Sequence, residues 1–282
     1  ITRAALADLE DALGDRVRFG VPLAKHTSMR IGGPADALAT PGDRAELARL
    51  LAVCAKHRLP HQVLGNGFNT LVLDGGIDGV VIQLGRFKQI EQLEDLSVRA
   101  EAGVSHARLT RFCVEHGLSG LEFGAGIPGT VGGWTAMNAG IGSREVKDVA
   151  REVEVMSPTG ERIANLPAAK LRFRYRALEG LAPGSIVLST LFDVRPAAPE
   201  RVRAEIARHL SQRSSTQPLD IPSCGSVFKN PSGDFAGRLI EAAGLKGIRA
   251  GGAEVSTVHA NFIVNRGGAS ATDVLALIER VR

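Results

Sequence analysis

The stretch that decides the fold runs from Gly120 to Gly140, GLEFGAGIPGTVGGWTAMNAG, with glycine at 120, 124, 126, 129, 132, 133 and 140. Neither a regular helix nor a strand is expected here, since every glycine forfeits backbone entropy and a side chain to pack. A backbone without Cβ atoms lets another body come close to it, so something flat or heavily phosphorylated is expected alongside. Pro128 fixes φ among these permissive positions, which makes the loop shaped rather than floppy. Leu121, Phe123, Ile127, Val131, Trp134 and Met137 interleave with the glycines. Flexible surface linkers, the alternative reading, are polar and Ser-rich. The loop is therefore expected to be buried or half-buried.

Working outward toward the N-terminus, Ser97 to Gly103 alternates as a strand, and Ser105 caps a helix with Leu109, Phe112 and Cys113 inward, closed by Gly117. This β-α unit delivers the chain into the glycine stretch. Further upstream, Val63 to Leu64 and Leu71 to Leu73 are apolar runs that flank the tight turn Gly65-Asn66-Gly67-Phe68-Asn69-Thr70, and Val80 to Leu84 follows as a strand. Such a turn exposes several backbone N–H groups in one concavity, which holds phosphate without a charged side chain. It is not a dinucleotide fingerprint, because no third glycine opens a helix, and an ordinary hairpin turn stays open as a reading. Asp43 caps another helix, with Glu46 three residues on and Leu47, Leu50, Leu51 and Cys54 along one face. Cys54 and Cys113 are thus expected in the core.

On the C-terminal side, Val153 and Val155 mark a strand before the turn 157–160, and another strand covers Ser185 to Val194. RPAAPE, residues 195–200, is the best internal boundary, and Val202, Ile206 and Leu210 make the next helix. Pro218, Pro222 and Pro231 then exclude a regular helix until Asp234 caps one that ends at Gly244. Strands at 253–257 and 261–265 precede a last helix, with Ser270 and Asp273 at its start and Val274, Leu277, Ile278 and Val281 as its stripe. This region is expected to form an α-β-β-α layer with helices on one face of a small sheet.

A chain of 282 residues with 44% hydrophobic and 23% charged residues has the makings of two globular domains. It contains no apolar run near the roughly 20 residues of a membrane span, and its amphipathic, charged N-terminal segment is not signal-like. A cytoplasmic protein with reduced thiols is expected, the three cysteines being scattered. A net charge of +4 suits acidic small molecules without demanding nucleic acid, and 4% aromatics make a poor stacking platform for single strands. The chain starts with Ile rather than Met, and its last helix stops at Arg282 without a cap, so more chain is expected at both ends.

Three residues are candidates for chemistry. Ser226, in CGSVFKNP, follows a glycine and precedes a cation and an amide; it lacks the G-x-S-x-G elbow, so it is either a hydroxyl proton donor to a very basic partner or a serine bonded to its own loop. Arg176, in FRYRALEG, would share a strand face with Arg174, opposite Phe173 and Tyr175, as a carboxylate fork or as a solvated edge residue. His259 is read as a satisfied core or loop histidine. The histidines have no metal-ligand spacing, and no metal is expected.

Taken together, TSMRIGGPA, LGNGFNTLV, GLEFGAGIPGTVGGWTAMNAG, FRYR, QPLDIPSCGSVFKNPSG, AGLKG and VSTVHANFIVN resemble, in order, the motifs of the UDP-N-acetylmuramate dehydrogenase family, also called UDP-N-acetylenolpyruvoylglucosamine reductases. The resemblance runs from about Lys25 to Arg282. It implies an α+β fold in which a two-part FAD-binding domain of the PCMH type (subdomains 1–84 and 85–196) precedes a smaller α/β substrate-binding domain, 197–282, incomplete at its C-terminal end. It implies a cytoplasmic, monomeric flavoenzyme of peptidoglycan precursor synthesis with FAD as cofactor and NADPH as hydride donor. Its substrate would be the enolpyruvyl ether of UDP-N-acetylglucosamine, and neither nucleic acid nor membrane would be a partner. Hydride would pass from NADPH to FAD and then to substrate C3, with Arg176 steadying the enolate-like charge and Ser226 protonating C2.

By the same resemblance, Gly65, Asn66, Gly67, Phe68, Asn69 and Thr70 would hold the FAD pyrophosphate. Gly124, Gly126, Ile127, Pro128, Thr130, Gly132, Gly133 and Asn138 would line the flavin, and Tyr175, Arg213, Gln217, Lys229 and Asn230 would meet the substrate. The chain departs from the family at Phe68, usually Ser, and at Trp134 and Thr135, often smaller. The family's catalytic Glu is expected beyond Arg282. The short connection from Arg213 to Ser226 matches the family's compact form.

Overall fold

Asp43, Ser105 and Ser270 each accept a backbone N–H three residues on, from Glu46, Arg108 and Asp273, so three helices begin where a short polar side chain satisfies an orphan donor. In the computed structural model, which describes residues 1–282, the chain forms two compact units made of separated segments. The first comprises Ile1–Phe19, Ala37–Gly65 and Gly79–Ser211; the second comprises Gly20–Asp36, Asn66–Asp78 and Gln212–Arg282.

In the first unit, α1 (Arg3–Leu13) and α2 (Arg44–His57) turn Leu9, Leu13, Leu47, Leu50, Leu51 and Cys54 into one core with Val80, Ile82 and Leu188. Strand His61–Val63 runs parallel to Ile77–Ile82, His61 opposite Val80. Residues 71–73, expected as a strand, carry no regular structure, and Leu73 is exposed. A five-stranded antiparallel sheet has the order Ile163–Pro167, Ala150–Met156, Ile186–Asp193, Ser97–Glu101, Ile90–Gln92. Its central strand, Ile186–Asp193, is buried over most of its length, as a strand packed on both faces must be. The N-terminus of α2 is tied down by Arg44, which forks onto Glu154 at 2.9 and 2.6 Å and reaches Glu101 at 2.7 Å.

The strand Ser97–Glu101 leads to α3 (His106–Glu115) and then into the glycine stretch, as the sequence predicts. That stretch is not free of regular structure: Val131–Ala136 forms a short helix, α4, because its own backbone can be satisfied over one and a half turns while Val131, Trp134 and Thr135 go inward. Leu109, Cys113, Leu121, Phe123, Val131, Trp134 and Phe192 make the second core of this unit.

Helix α5 (Pro199–Thr216) buries only Val202 completely; Leu210, expected on its inner stripe, is 46% exposed. In the second unit a four-stranded antiparallel sheet has the order Ser223–Ser226, Phe262–Asn265, Ala253–Val255, Arg249–Ala250. Helices α6 (Ala236–Ala242) and α7 (Ala271–Val281) contribute Ile240, Val274 and Leu277 to a core shared with Val255, Ile263, Met29 and Ile31. Asp74 closes the N-terminus of α7, accepting from the backbones of Ala271 (2.7 Å) and Thr272 (3.0 Å). Asp234 does not cap α6. Its carboxylate is taken by the Phe235 N–H and the Arg238 guanidinium, and it is Asn230 Oδ1 that accepts from Ala236 N, at 3.1 Å.

Candidate active site

Within the glycine stretch the glycines serve two purposes. A Cβ on Gly124 would fall 1.9 Å from Trp134 Cη2, and one on Gly132 would fall 2.9 Å from Ala102 Cβ, so these two make room for the chain's own packing. Trp134 fills that room and stacks on His106, with ring centroids 3.9 Å apart. Thr135 is fully buried, its hydroxyl 2.7 Å from that of Thr190. Gly129 and Gly133 are different: a Cβ on Gly129 (φ +113°) meets nothing within 4 Å, and one on Gly133 meets only Thr130 Oγ1 at 3.7 Å. Gly126 also has positive φ, +81°, and Ile127 and Pro128 beside it are half-buried. This is a shaped wall with a bare backbone. Gly65 belongs to the same surroundings, since a Cβ there would lie 3.2 Å from Thr130 Oγ1.

The wall leads to Asn138 and Arg176. Asn138 is fully buried with φ +40°, and its amide donates to Glu145 Oε2 (2.9 Å) and Arg174 O (3.0 Å) while accepting from Lys147 N (3.0 Å). A cofactor contact from Asn138 would thus come from its backbone. FRYR is not one extended strand: Arg172–Arg174 pairs with Ala177–Glu179, and Tyr175 and Arg176 make the turn, so their side chains do not alternate across a sheet. Arg176 sits at φ +58°, donates through Nη2 to Gly140 O at 3.0 Å, and lies 5.0 Å from the exposed ring of Tyr175. Alternation broke down because the two-residue turn falls inside the motif.

In the second unit, the loop from Asn66 to Thr70 keeps Asn66, Phe68 and Asn69 exposed, with only Gly67 buried. Gly67 (φ +66°) packs so tightly on Thr27 that a Cβ would fall 2.6 Å from its Cα. Ser28 Oγ lies 2.8 Å from Gly67 O and 2.7 Å from Ser223 O, so one hydroxyl ties this loop to the strand that carries Ser226. Sequence reasoning gave Thr27 and Ser28 no role; the only signal was the placing of TSMRIGG among the motifs. Ser226 itself is exposed at the strand end opposite Phe262, just after Gly225 (φ +81°), and its hydroxyl is not spent on its own loop. Asn261 secures the next two residues, its backbone O accepting from Val227 N at 2.9 Å and its side chain accepting from Phe228 N and donating to Phe228 O, both at 2.8 Å. Lys229 and Asn230 are exposed. Arg213 Nε and Gln217 Oε1 are buried without a hydrogen-bond partner, and burial lowers the Arg213 pKa.

Two family descriptions match: "FAD binding domain" over residues 35–164 and "UDP-N-acetylenolpyruvoylglucosamine reductase, C-terminal domain" over residues 217–282. A UDP-N-acetylenolpyruvoylglucosamine reductase of Geotalea uraniireducens is 44% identical over 96% of this chain and 89% of its own. This chain belongs to the UDP-N-acetylenolpyruvoylglucosamine reductase family. The crystal structure of the Thermus caldophilus reductase agrees with a TM-score of 0.81 at 41% identity, over 93% of this chain and 92% of that one. A p-cresol methylhydroxylase structure is similar in fold alone, with TM-score 0.52 and 16% identity over 70% of this chain and 44% of that one. The α+β, PCMH-type architecture expected from the motifs is thus present.

Trp134, expected as a departure from an often smaller residue, is accommodated in the space over Gly124. Two of the thiols stand apart from the chemistry: burial pushes Cys54 up to about 11 and, with the Glu122 charge, Cys113 up to about 12, so both stay protonated and inert. His259 is a structural residue, its pKa held down by burial, its Nδ1 accepting from Asn261 N at 3.2 Å and its ring 4.8 Å from Phe262.

Proposed function

We propose that this chain binds FAD and reduces the enolpyruvyl ether of UDP-N-acetylglucosamine to UDP-N-acetylmuramate with NADPH as hydride donor, in the cytoplasm, as a monomer, in peptidoglycan precursor synthesis. The observation that carries this reading is the pair of family matches, an FAD-binding domain over 35–164 and the reductase's own C-terminal domain over 217–282. No helix is long and apolar enough to cross a membrane.

The residues present fit the cofactor. The open Cβ positions at Gly129 and Gly133 leave a bare backbone against which a planar ring can lie, with Gly65 beside Thr130. The exposed loop Asn66 to Thr70, its base held by Ser28, offers backbone N–H groups to a pyrophosphate. When bound, FAD would take a hydride from NADPH and deliver it to substrate C3.

The chain's own residues then do the rest. Arg176 presents a guanidinium to the substrate carboxylate, where negative charge accumulates once C3 has gained hydride. Ser226, exposed and with its hydroxyl uncommitted, gives its proton to C2, which an enolate is basic enough to take. The orphaned Arg213 Nε and Gln217 Oε1 are a donor and an acceptor awaiting the polar part of a substrate, with Lys229 and Tyr175 as further contacts.

The test is a split reaction. Anaerobic NADPH should bleach the yellow protein, and the enolpyruvyl substrate should restore the colour. Ser226→Ala is expected to bleach normally and to regain colour about 10²- to 10⁴-fold more slowly. A colourless protein that cannot be reconstituted with FAD would refute the proposal, and unimpaired reoxidation in Ser226→Ala would remove this serine from the mechanism.

A further inference from the structure

Arg176 sits in an unusual place for a residue that must present a fork precisely. It is on a two-residue turn, in the left-handed region at φ +58°, with its side chain only about one-third exposed. An arginine side chain carries much rotamer freedom, and binding is weakened unless that freedom is removed beforehand.

We propose that Glu145 is the positioning residue that does this. The proposal rests on the reading of Arg176 as the partner of the substrate carboxylate. Gly140–Ile141 pairs with Arg144–Glu145, placing Gly140 directly opposite Glu145. The contact is so close that a Cβ on Gly140 would fall 2.2 Å from Arg144 O. Both members of this pair address Arg176: Gly140 O accepts from Nη2 at 3.0 Å, and Glu145 Oε1 stands 4.0 Å from Nη1.

The other end of Arg176 is held through the same carboxylate. Glu145 Oε2 accepts from Asn138 Nδ2 at 2.9 Å, and that amide also donates to Arg174 O at 3.0 Å, at the base of the turn that bears Arg176. Lys147 Nζ lies 2.9 Å from Glu145 Oε2, so the carboxylate is itself pinned, and it is 15% exposed.

The distances explain why this arrangement orients Arg176 without disabling it. A close bidentate pair at about 2.7–2.9 Å would occupy the guanidinium fork and compete with a substrate carboxylate. At 4.0 Å the half-buried Glu145 attracts the guanidinium while the N–H groups not bonded to Gly140 stay available.

The experiment is a double-mutant cycle of Glu145→Gln and Arg176→Met with two measurements. One is the rate of flavin reoxidation by the enolpyruvyl substrate. The other is the affinity for UDP-N-acetylmuramate, which has the carboxylate, against UDP-N-acetylglucosamine, which lacks it. Glu145→Gln is expected to slow reoxidation and weaken UDP-N-acetylmuramate binding about tenfold to a hundredfold, to leave UDP-N-acetylglucosamine binding and flavin bleaching unchanged, and to add nothing in the Arg176→Met background. Wild-type values for Glu145→Gln, equal losses for both nucleotides, or the same loss in the Arg176→Met background would overturn the proposal. If Glu145→Gln fails to fold with FAD, Glu145→Asp, which keeps the charge and withdraws it, takes its place in the cycle with the same outcomes. Failure of the underlying reading looks different: Arg176→Met alone would then reoxidise and bind UDP-N-acetylmuramate like the wild type.

Discussion

A Cβ on Gly124 would meet Trp134 at 1.9 Å, whereas a Cβ on Gly225, just before Ser226, would meet only Phe68 O at 3.8 Å. The two glycines look equivalent in sequence. Gly124 is needed for space, which an aromatic ring ten residues later has taken; Gly225 is needed for its dihedral angle, φ +81°. The difference teaches that a run of glycines is not by itself evidence of a ligand at each one. In the first unit some of the freed volume returns to the core, and the bare backbone is confined to positions such as Gly129 and Gly133. In the second unit a single glycine turns the strand end so that a serine and a lysine are left exposed.

Two measurements sharpen or break this contrast and a third probes the second unit by itself, beginning with the largest effect. Gly124→Ala should destabilise the protein by about 3 kcal/mol, because a rigid indole and its neighbours cannot give way. Adding Trp134→Leu to that variant should raise its urea midpoint again. If the second change brings no recovery, the contact with Trp134 is not what requires glycine at 124. Gly225→Ala should cost about 1–2 kcal/mol for an L-residue held at positive φ, and no neighbouring truncation should restore it. Recovery through Phe68→Ala would show that space matters at Gly225 as well.

The smallest effect is a pH dependence in the second unit. Glu254 has a side chain 2% exposed between Arg266 and Arg249, at 2.7 and 2.5 Å. The Arg266 hydrogen bond, against burial and helped by Arg249, holds its carboxyl below the ordinary value of 4.5. A carboxyl whose folded pKa is depressed stabilises the fold above the unfolded pKa and loses that contribution as pH falls through the folded one. The stability difference between wild type and Glu254→Gln should therefore shrink between about pH 6 and about pH 3. A difference constant across that range would mean that the ion pairs contribute nothing through ionisation.

The elements most legible in the sequence were those determined within a few residues. Asp43, Ser105 and Ser270 capped their helices as expected, and Cys54 and Cys113 fell on inner faces. Asp234 misled because its carboxylate found Arg238 one turn on, leaving the cap to Asn230, six residues from the amide it satisfies. FRYR misled because alternation assumes that a strand continues, and nothing within four residues announces that Tyr175 and Arg176 form the turn. Ser28 went unread for a similar reason: the groups its hydroxyl reaches are 39 and 195 residues away.

By itself, then, the sequence determined three of the caps, most of the helical stripes, the main strands and a motif order specific enough to point to the reductase family, since each depends on short-range periodicity or on a string of residues. Only the tertiary structure decided which glycines of 120–140 are open and which are filled. It also decided that Asn138 spends its amide inside the chain, and that Glu145 stands by Arg176. The physical reason is that a missing Cβ leaves the same vacancy in every glycine of a sequence, and what occupies it is determined by contacts that chain order does not encode locally.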